Sequence, residues 1–196
     1  MGKKISREVY QQENVVELAR FFLGKYIVSV TPEGRVGGWI IETEAYGGEE
    51  DLACHAAGGR RTSRTEIMYR PGGVAYVYLC YGLHHMLNFV TGPRDVPCAV
   101  LLRGVKIEEG EAVVKSRRRG VPRERWGIGP GCVTKALGVT IKDNGVSLTG
   151  TRLWIEDRGV EIPDAEVCYT PRIGVDYAGE IWSQKPWRMV WRGGLA

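Results

Sequence analysis

The chain has 196 residues, of which 43% are hydrophobic and 26% are charged, and its formal net charge at pH 7 is +4. This length suffices for one sizeable core but not for two, so we expect a single domain spanning residues 1–196. Such mild basicity excludes neither a small-molecule enzyme nor a nucleic-acid-binding protein, and the placement of the charge is more informative than its sum.

The cysteines and the hydropathy pattern bear on the compartment. Five cysteines, odd in number and without a C-x-x-C pair, argue against a disulfide framework or a thiolate metal site and favour a reducing compartment. The polar N-terminal segment has no signal-peptide pattern, and no stretch of about 18 apolar residues occurs. We expect a cytoplasmic protein, or a nuclear one if the host is eukaryotic, with no part in a membrane.

Positive charge is concentrated in two segments. Residues 58–70 hold four basic residues against one acidic residue, and residues 115–125 hold six against one. Solvated loops would show the same pattern. Because the two segments flank an aromatic-rich stretch, contact with phosphates is favoured, and Arg64 is a candidate for it.

The first predicted helix is short and amphipathic. Residues 1–13 are polar and are expected to form an extended lead-in. Asn14 is typical of an N-cap, with Glu17 completing a capping box. The apolar residues that follow have the spacing of one helix face and belong to the core: Val15, Leu18, Ala19 and Phe22. Gly24 ends this helix.

Two strands follow, and the second carries a candidate site. Alternation predicts strands over 26–30 and 36–46, joined by a turn at 32–34. One face of the second strand is predicted to hold Ile40, Glu42, Glu44 and Tyr46, and the other Trp39, Ile41, Thr43 and Ala45. An acid beside an aromatic ring suits deprotonation of a water next to a flat, stacked substrate. A solvated strand face would also contain Glu-x-Glu.

Residues 47–71 predict a long ordered loop or a short helix with loops, and such segments are usually functional. This segment contains His55. A lone histidine is more often structural than catalytic, but the neighbouring acid and aromatic residues make the two roles equal alternatives.

Residues 74–90 predict a β-hairpin with a tight turn at Tyr81-Gly82. An aromatic residue at the tip has little opportunity for burial and is suited to wedge into a stacked duplex. The predicted faces place Tyr76 beside Tyr78, and His84 beside Met86 and Asn88. The His84-His85 pair is not expected to bind metal, because adjacent strand residues point to opposite faces.

The remaining elements are predicted as a strand over 98–105, a helix opening at 108–111 with a basic end, a helix over 132–137, and strands over 153–156 and 187–191. Arg103 lies near the end of the first of these strands. Gly129-Pro130-Gly131 opens the second helix, with Lys135 in its first turns, so that its N-terminus can hold a phosphate.

Taken in order, these motifs resemble the alkyladenine (3-methyladenine) DNA glycosylase family. The resemblance covers most of the chain at matching spacing and is therefore more specific than any single motif. It rests on Ile41-Glu42-Thr43-Glu44-Ala45-Tyr46, Glu50-Asp51-x-Ala53-x-His55, Pro71-Gly72, Tyr76-Val77-Tyr78, Tyr81-Gly82, Asn88, Val100-Leu101-Leu102-Arg103, Gly129-Pro130-Gly131, Lys135-Ala136-Leu137, Arg172-Ile173-Gly174 and Pro186-Trp187-Arg188.

The resemblance implies a mixed α/β fold, with a curved, mostly antiparallel sheet, surrounding helices and a protruding hairpin. It also implies a monofunctional DNA glycosylase of base excision repair. Such an enzyme flips a damaged purine (3-methyladenine, 7-methylguanine, hypoxanthine or ethenoadenine) out of the duplex and hydrolyses its N-glycosidic bond, leaving an abasic site. We expect damaged double-stranded DNA as the partner, no metal or organic cofactor, and a monomer associated with the nucleoid.

Roles follow from the resemblance residue by residue. Glu44 would be the general base, and Arg103 and the main-chain oxygen of Ile173 would place the attacking water. The base-binding residues would be Tyr46, His55 and Tyr78, which stack on the extracted base, and Asn88, which disfavours guanine by crowding its 2-amino group.

Other residues would contact the DNA outside the pocket. Tyr81 would fill the gap left by the extracted base. Arg64 in the first basic segment, and Gly131 and Lys135 at the glycine-opened helix, are the further candidates for DNA contact.

Departures from the family pattern and two rival functions remain. Thr65 stands where an asparagine is expected in this family, and His84-His85 occupies a part of the hairpin that varies, which leaves the substrate range open. The first rival is a glycosidase of free nucleosides or sugars that uses Glu42 and Glu44, with Cα atoms roughly 6.7 Å apart in a strand. The second is an inactive nucleic-acid-binding protein, which would tolerate loss of Glu44.

Overall fold

The computed structural model describes residues 2–195, and its strands form one open sheet. Nine strands occur in this range: β1 (Lys3–Lys4), β2 (Tyr26–Thr31), β3 (Gly34–Tyr46), β4 (Ala75–Cys80), β5 (His84–Thr91), β6 (Cys98–Glu109), β7 (Leu153–Asp157), β8 (Val167–Thr170) and β9 (Arg188–Trp191). All pairings between them are antiparallel, which confirms the predicted sheet type.

Helices pack around this sheet, giving the predicted mixed α/β domain. The α-helices between residues 2 and 195 are α1 (Arg7–Tyr10), α2 (Val15–Phe22), α3 (Glu111–Arg117), α4 (Pro130–Leu137) and α5 (Glu180–Ser183). Short 3-10 helices lie at Ala57–Gly59, Glu66–Tyr69, Arg123–Arg125, Ile141–Asp143, Asp164–Glu166, Asp176–Ala178 and Gly193–Leu195. The first two lie in the predicted loop over 47–71.

Strand β3 lies at the centre of the sheet. The strand order is β1-β7-β2-β3-β6-β5-β4, and β9 pairs with both β3 and β8. The first half of β3 pairs with β2, its residues 42–44 pair with β9, and β6 runs along its other edge. Side chains from β3, β6 and β9 can therefore meet at the second half of β3.

Helix α2 shows why the predicted N-terminal core forms. The Asn14 side chain accepts hydrogen bonds from the backbone N–H groups of Val16 and Glu17, as an N-cap does. The helix buries its apolar face, and the ring of Phe22 packs edge-on against Phe89 of β5 at 5.2 Å. A second cluster, which includes Tyr76, lies under the loop over 47–71.

Two expectations about the chain ends and element limits were wrong, and one strand was missed. Residues 1–13 are not merely extended, because β1 pairs its lysines with Asp157 and Glu156 of β7 and α1 buries Tyr10 completely. Glu108 and Glu109 end β6 and do not open a helix; α3 begins at Glu111. Strand β8 was not predicted.

The alternation of β3 is interrupted by a β-bulge. Ile40 pairs with Val105 and Glu42 with Gly104, so that Ile41 is the extra residue on β3. Directly beyond, Thr43 pairs with Leu102, which makes Arg103 the extra residue on β6. The two bulges compensate, and the register on either side is the same.

The bulges correct one predicted face. Ile40 lies in the main core together with Ala45, not on the face of Glu44. Beyond the bulge, Thr43 donates its hydroxyl to the carbonyl of Ala19, while Tyr46 contacts Glu44 on the opposite face. A strand without the bulge would have turned the carboxylates of β3 toward the core.

Candidate active site

Glu44 is buried at the centre of a converging set of donors. Its side chain has no exposed surface. Oε1 accepts a hydrogen bond from the backbone N–H of Ile173 at 2.9 Å, and Oε2 accepts one from the hydroxyl of Tyr46 at 2.8 Å. The guanidinium of Arg103 lies 3.4 Å from both oxygens. These donors offset part of the cost of burying a carboxylate.

The environment makes Glu44 more basic than an ordinary glutamate. Burial is the largest influence and raises its pKa, while Arg103, the Ile173 N–H and the Tyr46 hydroxyl pull the pKa down. Glu42 adds to the rise. A carboxylate tuned upward in this way is suited to accept a proton near neutral pH.

Arg103 is shared between two carboxylates. Its Nε donates to Oε1 of Glu42 at 3.1 Å, a shorter contact than either of those to Glu44. The same Glu42 oxygen accepts from Nε of Arg188 at 2.6 Å. The order Glu44–Arg103–Glu42–Arg188 is thus a line of alternating charges across β3, β6 and β9.

A buried ion pair holds the loop that carries Ile173. Arg172 contacts both oxygens of Asp51, at 2.5 and 2.9 Å, and neither side chain has exposed surface. Arg172 also donates to the carbonyls of Ala45 and Trp182. The backbone N–H that reaches Glu44 therefore comes from the residue after a fixed arginine.

An aromatic cavity of about 500 Å³ opens beside Glu44. Its wall contains the three groups that contact Glu44, namely Tyr46, Arg103 and Ile173. The other rings of the wall are His55, Tyr76, Tyr78, Tyr81 and Tyr177. The His55 and Tyr78 rings lie edge to face with centroids 4.6 Å apart. The volume and the flat walls suit a single planar heterocycle.

The contacts of His55 fix its protonation state. Nε2 lies 3.3 Å from Nη2 of Arg64, and since a guanidinium only donates, Nε2 must accept. Nδ1 therefore carries the hydrogen and donates to the hydroxyl of Tyr76 at 2.8 Å. Burial, with Arg64 and Arg60 nearby, lowers the pKa of His55 to about 4. The ring is neutral at physiological pH.

Asn88 also lines the cavity. It pairs with Tyr76 across the hairpin, and its side-chain NH₂ donates to the Tyr76 carbonyl at 3.2 Å. Tyr76 and Tyr78 share a strand face as predicted, with ring centroids 5.4 Å apart.

Tyr81 occupies the exposed tip of the hairpin. Its side chain is 92% exposed, and its φ of 51° is followed by a φ of 71° at Gly82. Two consecutive residues of positive φ form the tight turn predicted there. The position is strained for a tyrosine and gives the ring almost no packing.

The predicted DNA contacts lie at different distances from the cavity. Arg64 is in its wall, with the guanidinium 4.8 Å from the centroid of the Tyr78 ring. Gly131 packs against His84 near the hairpin, and Lys135 is exposed on α4. Neither Gly131 nor Lys135 is among the described residues that line the cavity, whereas their neighbour Pro130 is.

Thr65, which departs from the family pattern, is buried and hydrogen-bonded within its loop. Its side chain is 2% exposed; its hydroxyl donates to the carbonyl of Arg60 and accepts from the backbone N–H of Thr62. These bonds stabilise the loop that presents Arg64.

Sequence reasoning did not assign site roles to five residues that the structure brings to Glu44 or to the cavity. They are Tyr76, Asp51, Arg172, Arg188 and Tyr177. All but Tyr177 lie in the motifs quoted above. Their partners are distant in sequence, and spacing alone contains no signal for such pairs.

Two further findings concern the described residues, 2–195. They contain no group of three or more His, Cys, Asp or Glu side chains placed to hold a metal ion. No helix among them is long and apolar enough to cross a membrane.

Comparison with known proteins matches residues 8–194 to a family described as methylpurine-DNA glycosylase (MPG). A protein of Bacillus licheniformis is 45% identical, over 94% of this chain and 91% of the relative. One from Chlamydia pneumoniae is 40% identical, over 95% and 94%, and one from Bacillus subtilis is 43% identical, over 91% and 89%. Each of these relatives bears the name "Putative 3-methyladenine DNA glycosylase".

Proposed function

The chain belongs to the methylpurine-DNA glycosylase family and is therefore a DNA glycosylase, a hydrolase of the N-glycosidic bond; from this premise we propose that it excises 3-methyladenine and related alkylated or deaminated purines. The related substrates would be 7-methylguanine, hypoxanthine and ethenoadenine. The enzyme would flip the base from duplex DNA and leave an abasic site without cutting the strand.

One observation carries this proposal: a buried carboxylate lies directly behind a cavity walled by aromatic rings. A flipped purine would stack on Tyr46, His55 and Tyr78, which line that cavity. Stacking contributes roughly 1–3 kcal/mol per base and helps to offset the few kcal/mol needed for flipping. A cationic base such as 3-methyladenine gains further from electron-rich rings.

Glu44 would act as the general base. Cleavage passes through an oxocarbenium-like state, which a carboxylate stabilises while it takes a proton from the attacking water. Since Glu44 has no exposed surface, water must replace one of its contacts, and those to Arg103, at 3.4 Å, are the longest. The main-chain oxygen of Ile173 would then help Arg103 to orient that water.

A glycosidase of free nucleosides or sugars would need a second free carboxylate. The surroundings of Glu42 disfavour this rival function. Glu42 contacts the guanidinium groups of Arg103 and Arg188, and it does not line the cavity. A carboxylate that is engaged by two arginines and lies outside the cavity wall is not placed to reach a leaving group.

The test is single-turnover excision from matched duplexes that carry each proposed lesion. We expect release of free base with the strand intact until alkali treatment. Glu44→Gln should bind the lesion duplex but lose about 10²–10⁴-fold in rate. Glu109→Gln, which removes a carboxylate paired with Arg35 at the other end of β6, is the matched control and should behave as the wild type. Near-normal excision by Glu44→Gln would remove it as the base, and binding without release by the wild type would favour the binding-protein rival.

Duplex binding has its own measurement. If about 4–6 phosphates are contacted, log K should fall with log[salt] with a slope of roughly −4 to −5. A flat dependence would exclude duplex DNA as the partner and favour a free-nucleoside substrate.

A further inference from the structure

We propose that Glu42 is a positioning residue for the reaction: by sharing Arg103 with Glu44, it prevents this arginine from pairing fully with the base and so keeps Glu44 able to accept a proton. The inference rests on the proposed role of Glu44 and extends it to the second carboxylate of β3.

The first support is the geometry of the shared arginine. Nε of Arg103 lies 3.1 Å from Glu42 and 3.4 Å from Glu44, and Nη1 lies 3.4 Å from Glu44. Charge-assisted hydrogen bonds are normally about 2.7–2.9 Å long, so the contacts to Glu44 are long ones. A guanidinium can bind one carboxylate through two parallel bonds, and here Glu42 occupies part of that fork.

The second support is that the backbone holds Glu42 in this place. Glu42 pairs with Gly104 between the two β-bulges, and a Cβ at position 104 would lie 2.9 Å from Cβ of Glu42. A residue larger than glycine would therefore force Glu42 to shift from this place. The carboxylate is further held by Arg188 at 2.6 Å.

Charged and titratable groups face Glu44 from every element around it. They are Glu42 and Tyr46 on β3, Arg103 on β6, Arg188 on β9, which is opposite Glu44 in the strand register, and Arg172 on the loop after β8, whose guanidinium lies over the Tyr46 ring. With Glu42 neutral, Arg103 and Arg188 would face Glu44 as two cations without their shared counter-ion. Glu44 would then remain ionised at lower pH and be a weaker base.

This gives Glu42→Gln a distinctive pH dependence. The neutral amide has nearly the same shape but no charge. Both carboxylates contact the same Arg103 nitrogen, at 3.1 and 3.4 Å, so they lie close together. Loss of one unit charge at such a distance, at an effective dielectric constant of about 20 and partly offset by Arg188, corresponds to a downward shift of about one pH unit in the acid limb of the pH–rate profile. A weaker base lowers the plateau rate, by roughly threefold for a moderate Brønsted dependence.

The pH–rate profiles of Glu42→Gln and the wild type should therefore cross. The rate follows the ionised fraction of Glu44, which falls tenfold per pH unit below its acid limb. Glu42→Gln should be slower than the wild type on the plateau. Below both limbs it should be faster, by about threefold, because about ten times more of its Glu44 is ionised. General damage to the site would slow the reaction at every pH.

The experiment measures single-turnover release of 3-methyladenine from methylated duplex DNA with saturating enzyme across the acid limb. 3-Methyladenine in DNA is already cationic and needs no proton donor to leave. The acid limb therefore reports the ionisation of the general base, Glu44. Spontaneous release without enzyme is subtracted. Glu109→Gln has the same change in charge and should retain the wild-type limb.

A plateau that falls without movement of the limb would overturn the proposal. If Glu42→Gln does not fold, Arg188→Gln tests the same network with the opposite sign: Glu42 would then pair with Arg103 alone, and the limb should move up. A limb that stays or moves down in that variant would also overturn it. An inactive wild type, or an active Glu44→Gln, would refute the proposed function or base instead. An active wild type, an inactive Glu44→Gln and an unmoved limb in Glu42→Gln would refute this inference alone.

Discussion

The substitution Asp51→Asn tests the ion pair that supports the site. The Asp51 carboxylate accepts four hydrogen bonds, two from Arg172 and one each from the backbone N–H groups of Gly47 and Ala53. All four partners are donors. Asparagine has nearly the same shape, but one of its two terminal groups is itself a donor, so it would meet some of these partners donor to donor.

The expected loss of stability is large because the pair is fully buried. Neither Asp51 nor Arg172 has exposed side-chain surface, and breaking such a pair leaves an uncompensated charge at a cost of about 3–5 kcal/mol. For a chain of this size, that loss corresponds to a Tm lower by roughly 6–20 °C. An exposed ion pair contributes only about 0–1 kcal/mol.

The assay is urea unfolding at pH 7 with Asp164→Asn as the matched control. Asp164 pairs with Arg20 at 2.9 Å, but its side chain is 83% exposed. The double variant Asp51→Asn/Arg172→Met should regain part of the stability, because the stranded charge is gone. It should not regain excision, because the loop that brings the Ile173 N–H to Glu44 has lost its anchor.

Equal losses in the free energy of unfolding for Asp51→Asn and Asp164→Asn would refute the reasoning, since burial would then have no effect on the strength of the ion pair. A double variant less stable than Asp51→Asn would show that the hydrogen bonds from Arg172 to carbonyls matter more than its charge.

Four further predictions follow. Gly104→Ala should destabilise the protein by about 1–3 kcal/mol and slow single-turnover excision, because its methyl group would lie 2.9 Å from Cβ of Glu42; unchanged unfolding would mean that the bulges adapt. His55 should show an Nδ1–H tautomer in ¹⁵N NMR and no titration between pH 5.5 and 8, since its pKa is about 4, and the stability it contributes should be present above pH 6.5 and be lost as pH falls through 4; titration near 6.5 would contradict this. Tyr81→Ala should weaken capture of flipped bases with no change in Tm, because its side chain is 92% exposed; wild-type affinity and rate would remove it from the site. The difference in Tm between Glu44→Gln and the wild type should shift in favour of the variant as pH rises from about 4.5 to 8, since burial raises the pKa of Glu44 and the charged form costs stability above the unfolded-state pKa; a difference that stays constant with pH would exclude charge burial as the cause.

The elements that sequence predicted best depend on local patterns. The α2 helix combines a cap at Asn14 with apolar residues at helical spacing, and both signals lie within nine residues. The hairpin tip follows from Gly82, which readily adopts positive φ. Such signals need no knowledge of the remainder of the chain.

The features that sequence missed depend on pairing between distant residues. Ile41 becomes a bulge only because β6 has its own extra residue, Arg103, at the opposite position. Asp51 and Arg172 are 121 residues apart, and nothing near either one indicates its partner. The resemblance to a family located these residues in motifs but did not show which of them touch.

The bulges also explain why Glu44 and Tyr46 share a face as predicted, although strict alternation of side chains along β3 fails at Ile40. The rule of alternation holds on each side of the irregularity, and both residues lie on the same side of it. A prediction that began from the core residue Ile40 and counted forward would have placed Glu44 in the core. Counting from Tyr46 backward places it in the site.

The surroundings of Glu44 follow from two opposing requirements on a buried base. Each donor that reduces the cost of burying the carboxylate also makes it less basic, and Arg103, Tyr46 and the Ile173 N–H all act in this direction. Without these donors, burial would favour the protonated form of Glu44. With Arg103 fully paired to it, Glu44 would retain too little affinity for a proton. A second carboxylate that takes part of the arginine meets both requirements, since Arg103 remains in place while its interaction with Glu44 weakens. On this view, Glu-x-Glu at this point of β3 is a functional pair with unequal roles, in which Glu44 accepts the proton and Glu42 sets how readily it does so.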